Sequence, residues 1–280
     1  MDSSNEQKDF RTATDYEKSE LNSIQKWENE PPSVVNKALG VLSTPVAWLT
    51  QKVIPAKAIE GCLNLANAAG SKLADTSDIL RDGGVSKISD LKHTKLEVCD
   101  GIANNVHNWA LAFATAEGGT AGWFGLAGMV VDIPTLITFS LRSIHKIGLC
   151  YGYESVSEYD EHFILDVLSA AGANNPKEKA ASILAMRNIQ QMILKNTWKS
   201  MAKKAAENQC SKEGAIMAIK ALAKQLGINI TKRKALQAIP FVGAGIGAAM
   251  NAQYINDVCW AARRSFQKRW LNDNCVEICS

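Results

Sequence analysis

Asp132, His145, Glu161 and His162 carry the side-chain types of a metal or hydrolytic centre. Carboxylates and imidazoles can ligate a divalent cation or move a proton near neutral pH. Their spacing follows no motif that would fix such a centre. Glu158 and His162 are four apart, Glu161 adjoins His162, and no HExxH, Gly-x-Ser-x-Gly or Cys-His arrangement is present. Arg142 lies ten residues after Asp132, nearly three helical turns and about 15 Å along an axis, so the two cannot pair directly. His145 borders Arg142 one turn on, and Tyr151 and Tyr153 flank Gly152. These seven residues are read as a binding or structural polar site, with no metal and no cofactor expected. A metal-dependent hydrolase or small-ligand binder using Asp132, His145, Glu161 and His162 is the alternative.

The stretch that must position them is Ala116 to Tyr153. Gly119, Gly122, Gly125 and Gly128 fall three apart, and the only formal charge between Glu117 and Arg142 is Asp132. Glycine costs about 1 kcal/mol against alanine inside a helix, so close approach of another backbone is the expected return. Pro134 suggests a split: one small-residue helix ending near Val131, and a second from Ile133 to Tyr151 with Asp132 as its N-cap. A second stretch, Ala238 to Asn251, repeats the layout with Pro240, Gly243 and Gly247, and Ala235 to Asn256 carries no formal charge. The two are expected to pack as glycine-rich central helices.

Helical spacing recurs along the rest of the chain, and no run alternates like a strand, so the fold class is all-α. Ser89-Asp90 is expected to begin a helix through Leu91, Leu96, Val98, Ile102, Val106, Trp109 and Leu111, and Gly152 to end another. Helices are also expected over Glu158–Ala171, over Lys177–Ala206 and up to about Trp270. The expected organisation is a polar, partly disordered segment at 1–30, a helical domain at 31–271 and a cysteine-containing tail at 272–280. The tryptophans are expected in the core, with Trp123, among glycines, as the exception.

The 280 residues carry a net charge of +3, too little to imply nucleic acid. Basic residues do cluster at Lys195–Lys204, Lys232–Lys234 and Arg263–Arg269. Each cluster reads either as a solvated helix face or as a contact for an anionic leaflet. The first thirty residues lack an apolar core segment, and the seven cysteines are scattered, so reduced thiols in the cytoplasm are expected. Both glycine-rich stretches approach the roughly 20 apolar residues of a membrane span, yet Asp132 interrupts one and Asn251 and Gln253 weaken the other. A hairpin or amphipathic insertion fits them better than a span. Gly243-x-Gly245-x-Gly247 fails as a phosphate loop, since no strand precedes it and no GK[ST] follows.

The chain resembles the EcsC protein family. The resemblance rests on Glu117-Gly118-Gly119-Thr120, Asp132-Ile133-Pro134, Leu141-Arg142-Ser143-Ile144 and Cys150-Tyr151-Gly152-Tyr153. A second block runs from Ile239-Pro240 through Gly243-Ala244-Gly245-Ile246-Gly247 to Ala261-Ala262-Arg263. The resemblance extends from about Ser33 to Leu271. It implies a bacterial protein accessory to membrane transport or envelope physiology, since the family is named for a gene beside an ABC transporter. It supplies no catalytic residues. Together these readings favour a non-enzymatic, cytoplasmic, membrane-peripheral protein at the inner face of the cell membrane. Its expected partners are an anionic membrane surface and a transporter component.

Overall fold

In the computed structural model, described residues are 11–31, 61, 75–121, 125–155, 158–173, 175–195 and 243–274, by backbone alone at 116–121, 125–134, 158, 189, 191–195 and 243–250. They form an all-α fold. The elements in chain order are α1 (Asp15–Asn29), α2 (Ser77–Gly83), a 3-10 turn (Ile88–His93), α3 (Leu96–Ala121), α4 (Gly125–Cys150), α5 (Glu158–Gly172), α6 (Pro176–Lys195) and α7 (Gly243–Asp273).

The first helix starts at a capping box. The Thr14 hydroxyl accepts from the Glu17 amide at 3.2 Å, and the Glu17 carboxylate accepts from the Thr14 amide at 2.8 Å. Residues 15–29, within the segment expected to be polar and partly disordered, form a capped helix, and they pack on α6 and α7. Two glycines at positive φ close later elements: Gly84 (φ 62°) ends α2, and Gly152 (φ 85°) turns the chain out of α4. The helix expected from Ser89 is instead the 3-10 turn followed by α3, because the chain reaches extended backbone at Thr94.

A larger correction concerns Asp132. The fourth helix is continuous from Gly125 to Cys150, so Asp132, Ile133 and Pro134 lie inside it and Asp132 is no N-cap. The third helix ends at Ala121 and the fourth begins at Gly125. Proline is tolerated near a helix start because only the later amides need an i−4 carbonyl. Here it sits in the third turn, and its missing amide leaves the Val130 carbonyl without an intrahelical donor.

The core is built around α7, which packs on α1, α3, α4 and α5. Phe266 is its centre, stacked 6.4 Å from Tyr151 and 5.7 Å from Tyr153, with Phe163 edge-on at 5.2 Å. The α4 helix reaches it closely because Gly148 has no side chain: a Cβ there would lie 2.7 Å from the Phe266 ring. Close approach through glycine is therefore real at Gly148, which the sequence pattern did not single out. The environments of Gly119, Gly122, Gly125, Gly128, Gly243 and Gly247 lie outside the described side chains.

Register then fixes the position of the glycine-rich ends. Phe139 of α4 lies 6.0 Å from Trp109 and 4.7 Å from Phe113 of α3, so these helices form an antiparallel hairpin. His107, Asn104 and Asp100 of α3 bond Asn256, Arg263 and Gln267 of α7, so this pair is antiparallel too. Gly148 opposite Phe266 puts α4 and α7 parallel and offset by 118 positions, which sets Gly125 level with Gly243. Ala121, Gly125 and Gly243 thus lie at one end of the molecule.

Candidate functional site

At the opposite end, three helices meet on one buried carboxylate. Asp100 of α3 accepts from the Tyr16 hydroxyl of α1 (2.8 Å), the Tyr151 hydroxyl after α4 (2.5 Å) and the Gln267 amide of α7 (2.7 Å). Gln267 also donates to Glu20 (2.9 Å), which Arg264 clamps at 2.5 Å. Burial pushes the Asp100 carboxyl above its usual range, against the pull of its three donors. Burial and the neighbouring Asp100 push Tyr151 up as well. With its oxygens filled from three sides and no open face, Asp100 ties helices together.

A second knot lies beside it. The Tyr153 hydroxyl donates to Asp273 at 2.7 Å, and its ring carries Arg269 at 4.2 Å and Lys92 at 4.8 Å. Arg269 pairs with Asp160 at 2.9 Å, both largely buried. The remaining cations of the Arg263–Arg269 cluster are also engaged internally. Arg263 donates to Asn104 at 3.1 Å, and Lys268 pairs with Glu28 at 2.6 Å. The expectation that this cluster faces lipid headgroups is therefore corrected: its charges hold α1, α3 and α5 to α7. Lys195–Lys204 and Lys232–Lys234 lie outside the described side chains.

Of the residues expected to form a site, the fold gathers Tyr151 and Tyr153 around Phe266. His145 is buried on α4, its Nδ1 3.0 Å from the Ser155 hydroxyl and its Nε2 without a hydrogen-bond partner among the described residues. Burial lowers its pKa to about 4, so the ring is neutral at physiological pH. Arg142 is exposed on α4, with no hydrogen bond or ion pair to another described residue. Glu161 is exposed and His162 half-buried on α5. The Asp132 side chain lies outside the described ones. Among the described residues, no three His, Cys, Asp or Glu side chains gather closely enough to hold a metal ion. Cys99, Cys150 and Cys259 are free and buried, with burial raising all three thiols, Cys99 to about 11. Cys275 and Cys279 lie outside the described residues.

A cleft of about 410 Å³ separates α1 from the α5–α6 turn and α7. Ala170, Ala171, Ala173 and Ala261 contribute small side chains to its lining, and Trp27 and Trp260 large ones. Lys179 is drawn to the end of α1, donating to the carbonyls of Trp27 and Glu30 and lying 4.5 Å from the Trp27 ring centre. It acts as a cationic C-terminal stop for α1.

The third feature is the charge-poor end. Past Trp109 on α3, before Phe139 on α4 and before Asp257 on α7, the formal charges on these helices are Glu117 and Asp132. At the base of this end an aromatic group faces outward: Trp109 is 53% exposed and Phe113 40%, stacked on each other at 5.5 Å. Trp109 departs from the expectation of a core tryptophan, whereas Trp270 is fully inside and donates to the Leu91 carbonyl. Trp123 lies outside the described residues.

The EcsC protein family's sequence profile matches residues 18–271, nearly the whole length. The chain belongs to the EcsC protein family. This match begins within α1, ahead of the Ser33 where the sequence resemblance starts. A curated relative, Uncharacterized protein YdbA of Bacillus subtilis (strain 168), is 23% identical over 273 residues, covering 92% of this chain and 94% of that protein. No solved structure matches the chain. Among the described residues, no helix is long and apolar enough to cross a membrane.

Asp100 is the residue that sequence reasoning missed, although a signal existed. Leu96, Cys99, Ala103, Val106 and Ala110 mark the buried stripe of α3, and Asp100 lies on it, one turn after Leu96. Reading Val98 and Trp109 as core, when both are exposed, hid that stripe.

Proposed function

We propose that this EcsC-family protein is a non-enzymatic, membrane-peripheral accessory protein at the cytoplasmic face of the cell membrane, serving a transporter or envelope process. The observation carrying this reading is the charge asymmetry along the long helices. One end is knotted by ion pairs and buried polar bonds, and the other, where α3, α4 and α7 finish level, is nearly free of charge. The exposed Trp109 and Phe113 at the base of that end favour an apolar partner. The inward-turned cluster at Arg263–Arg269 leaves headgroup attraction to Lys195–Lys204 and Lys232–Lys234.

Flotation of the purified protein with anionic and zwitterionic vesicles tests this. Lipid-dependent flotation is expected. Protein that stays at the bottom of the gradient with every vesicle composition would overturn the reading.

A further inference from the structure

We infer that the cleft between α1, the α5–α6 turn and α7 is a binding site for a small organic anion, a carboxylate carried on a flat apolar body. Size admits such a ligand. The cleft holds about 410 Å³, within the roughly 300–1,000 Å³ of small-molecule pockets. Every residue that lines it is a described one. Ala170, Ala171 and Ala261 leave the room, and Trp27 of α1 and Trp260 of α7, both half-buried, supply aromatic surface. Ring faces beside short side chains suit a flat body that can stack on them.

Polarity decides the charge. The acceptors of the cleft already have donors. Asp257 accepts from Gln253 at 3.0 Å, and Glu30 lies 3.8 Å from Lys26. Lys179 takes the carbonyls of Trp27 and Glu30 at the end of α1. What is left over can donate. The Ser23 hydroxyl and the indole N–H groups of Trp27 and Trp260 bond to no described residue. Asn256 turns its side-chain oxygen to His107 at 3.1 Å, which leaves its amide hydrogens. Lys26 is exposed at the rim, held only by the long contact with Glu30. Spare N–H and O–H groups beside a loosely held ammonium select a carboxylate, whose charge strengthens each bond. A cationic ligand would instead compete for carboxylates that are already engaged.

Two soluble photoprobes test this on the full-length protein without any membrane, so the outcome is separate from that of flotation. One is para-benzoylbenzoate, an aromatic carboxylate; the other is para-benzoylbenzylammonium, the same rings carrying a cation. Carboxylate crosslinks are expected within 23–31 and 256–264, with at least about tenfold less labelling there by the ammonium. Ser23→Phe, which fills space between α1 and α7, should cut the labelling at least about tenfold. Lys26→Glu, on the exposed rim, should cut it about fivefold with the melting temperature unchanged. Should Ser23→Phe fail to fold, Lys26→Glu decides. Carboxylate labelling outside those two stretches, equal labelling of the cleft by both probes, or full labelling of folded Lys26→Glu overturns the assignment.

Discussion

His145 shows how burial sets the acid limit of this protein. Its folded pKa of about 4 lies below the ordinary 6.5, so the unfolded chain takes up a proton that the folded one refuses. The stability linked to this residue is therefore complete above pH about 6.5 and is lost as pH falls toward about 4. The melting temperature is expected to drop between about pH 7 and about pH 5, and His145→Gln, which cannot be protonated, should make that drop smaller. An equal drop in the variant would assign the acid sensitivity elsewhere. Asp100 has the opposite sign. Its raised pKa means that the linked stability is lost as pH climbs from the ordinary carboxyl range up to the raised value, a cost that its three hydrogen bonds reduce.

At the scale of elements, two glycines in long helices make a controlled pair. Gly148→Ala would push a methyl group to 2.7 Å from the Phe266 ring at the α4–α7 contact. Such overpacking should lower stability by about 1–3 kcal/mol in a denaturant titration. Gly101→Ala, on exposed α3 surface with nothing within 4 Å, should raise it by about 0.5–1 kcal/mol. The first helix is held differently. Its apolar anchors are few, and Glu20 and Glu28 grip Arg264, Arg187 and Lys268. Glu28→Gln should weaken it by about 1 kcal/mol. Hydrogen exchange is then expected to quicken over 15–29 and stay unchanged over 96–115.

This helix also marks where the sequence stopped being informative. Its docking comes from ion pairs between residues some 240 positions apart, as Glu20 with Arg264, and local periodicity carries no trace of such pairs. Helices with a continuous apolar stripe were legible: α5 runs as expected, and Gly152 ends its helix as expected. Pro134 misled because a proline near a polar cap residue normally opens a helix. Here the helix had already begun nine residues earlier, at Gly125. Of the candidate site, the charge-poor stretches were visible in the sequence. Their convergence at one end was not, since register between distant helices depends on contacts such as Gly148 with Phe266.

For the molecule as a whole, the ion pairs gather at one end of the long helices and the charge-poor stretches at the other. Because Arg263, Arg264, Lys268 and Arg269 are tied internally, high salt should leave a large share of vesicle binding in place. Binding that vanishes in salt would shift the driving force to the basic stretches at 195–204 and 232–234. The position of α7 in the chain has a further consequence. The helix on which α1, α3, α4 and α5 all pack is made after residue 242, so a nascent chain on the ribosome carries the apolar faces of α3, α4 and α5 without α7 to cover them. Completion of that core is expected only once those turns emerge, and exposed apolar faces of this kind are prone to aggregate until then.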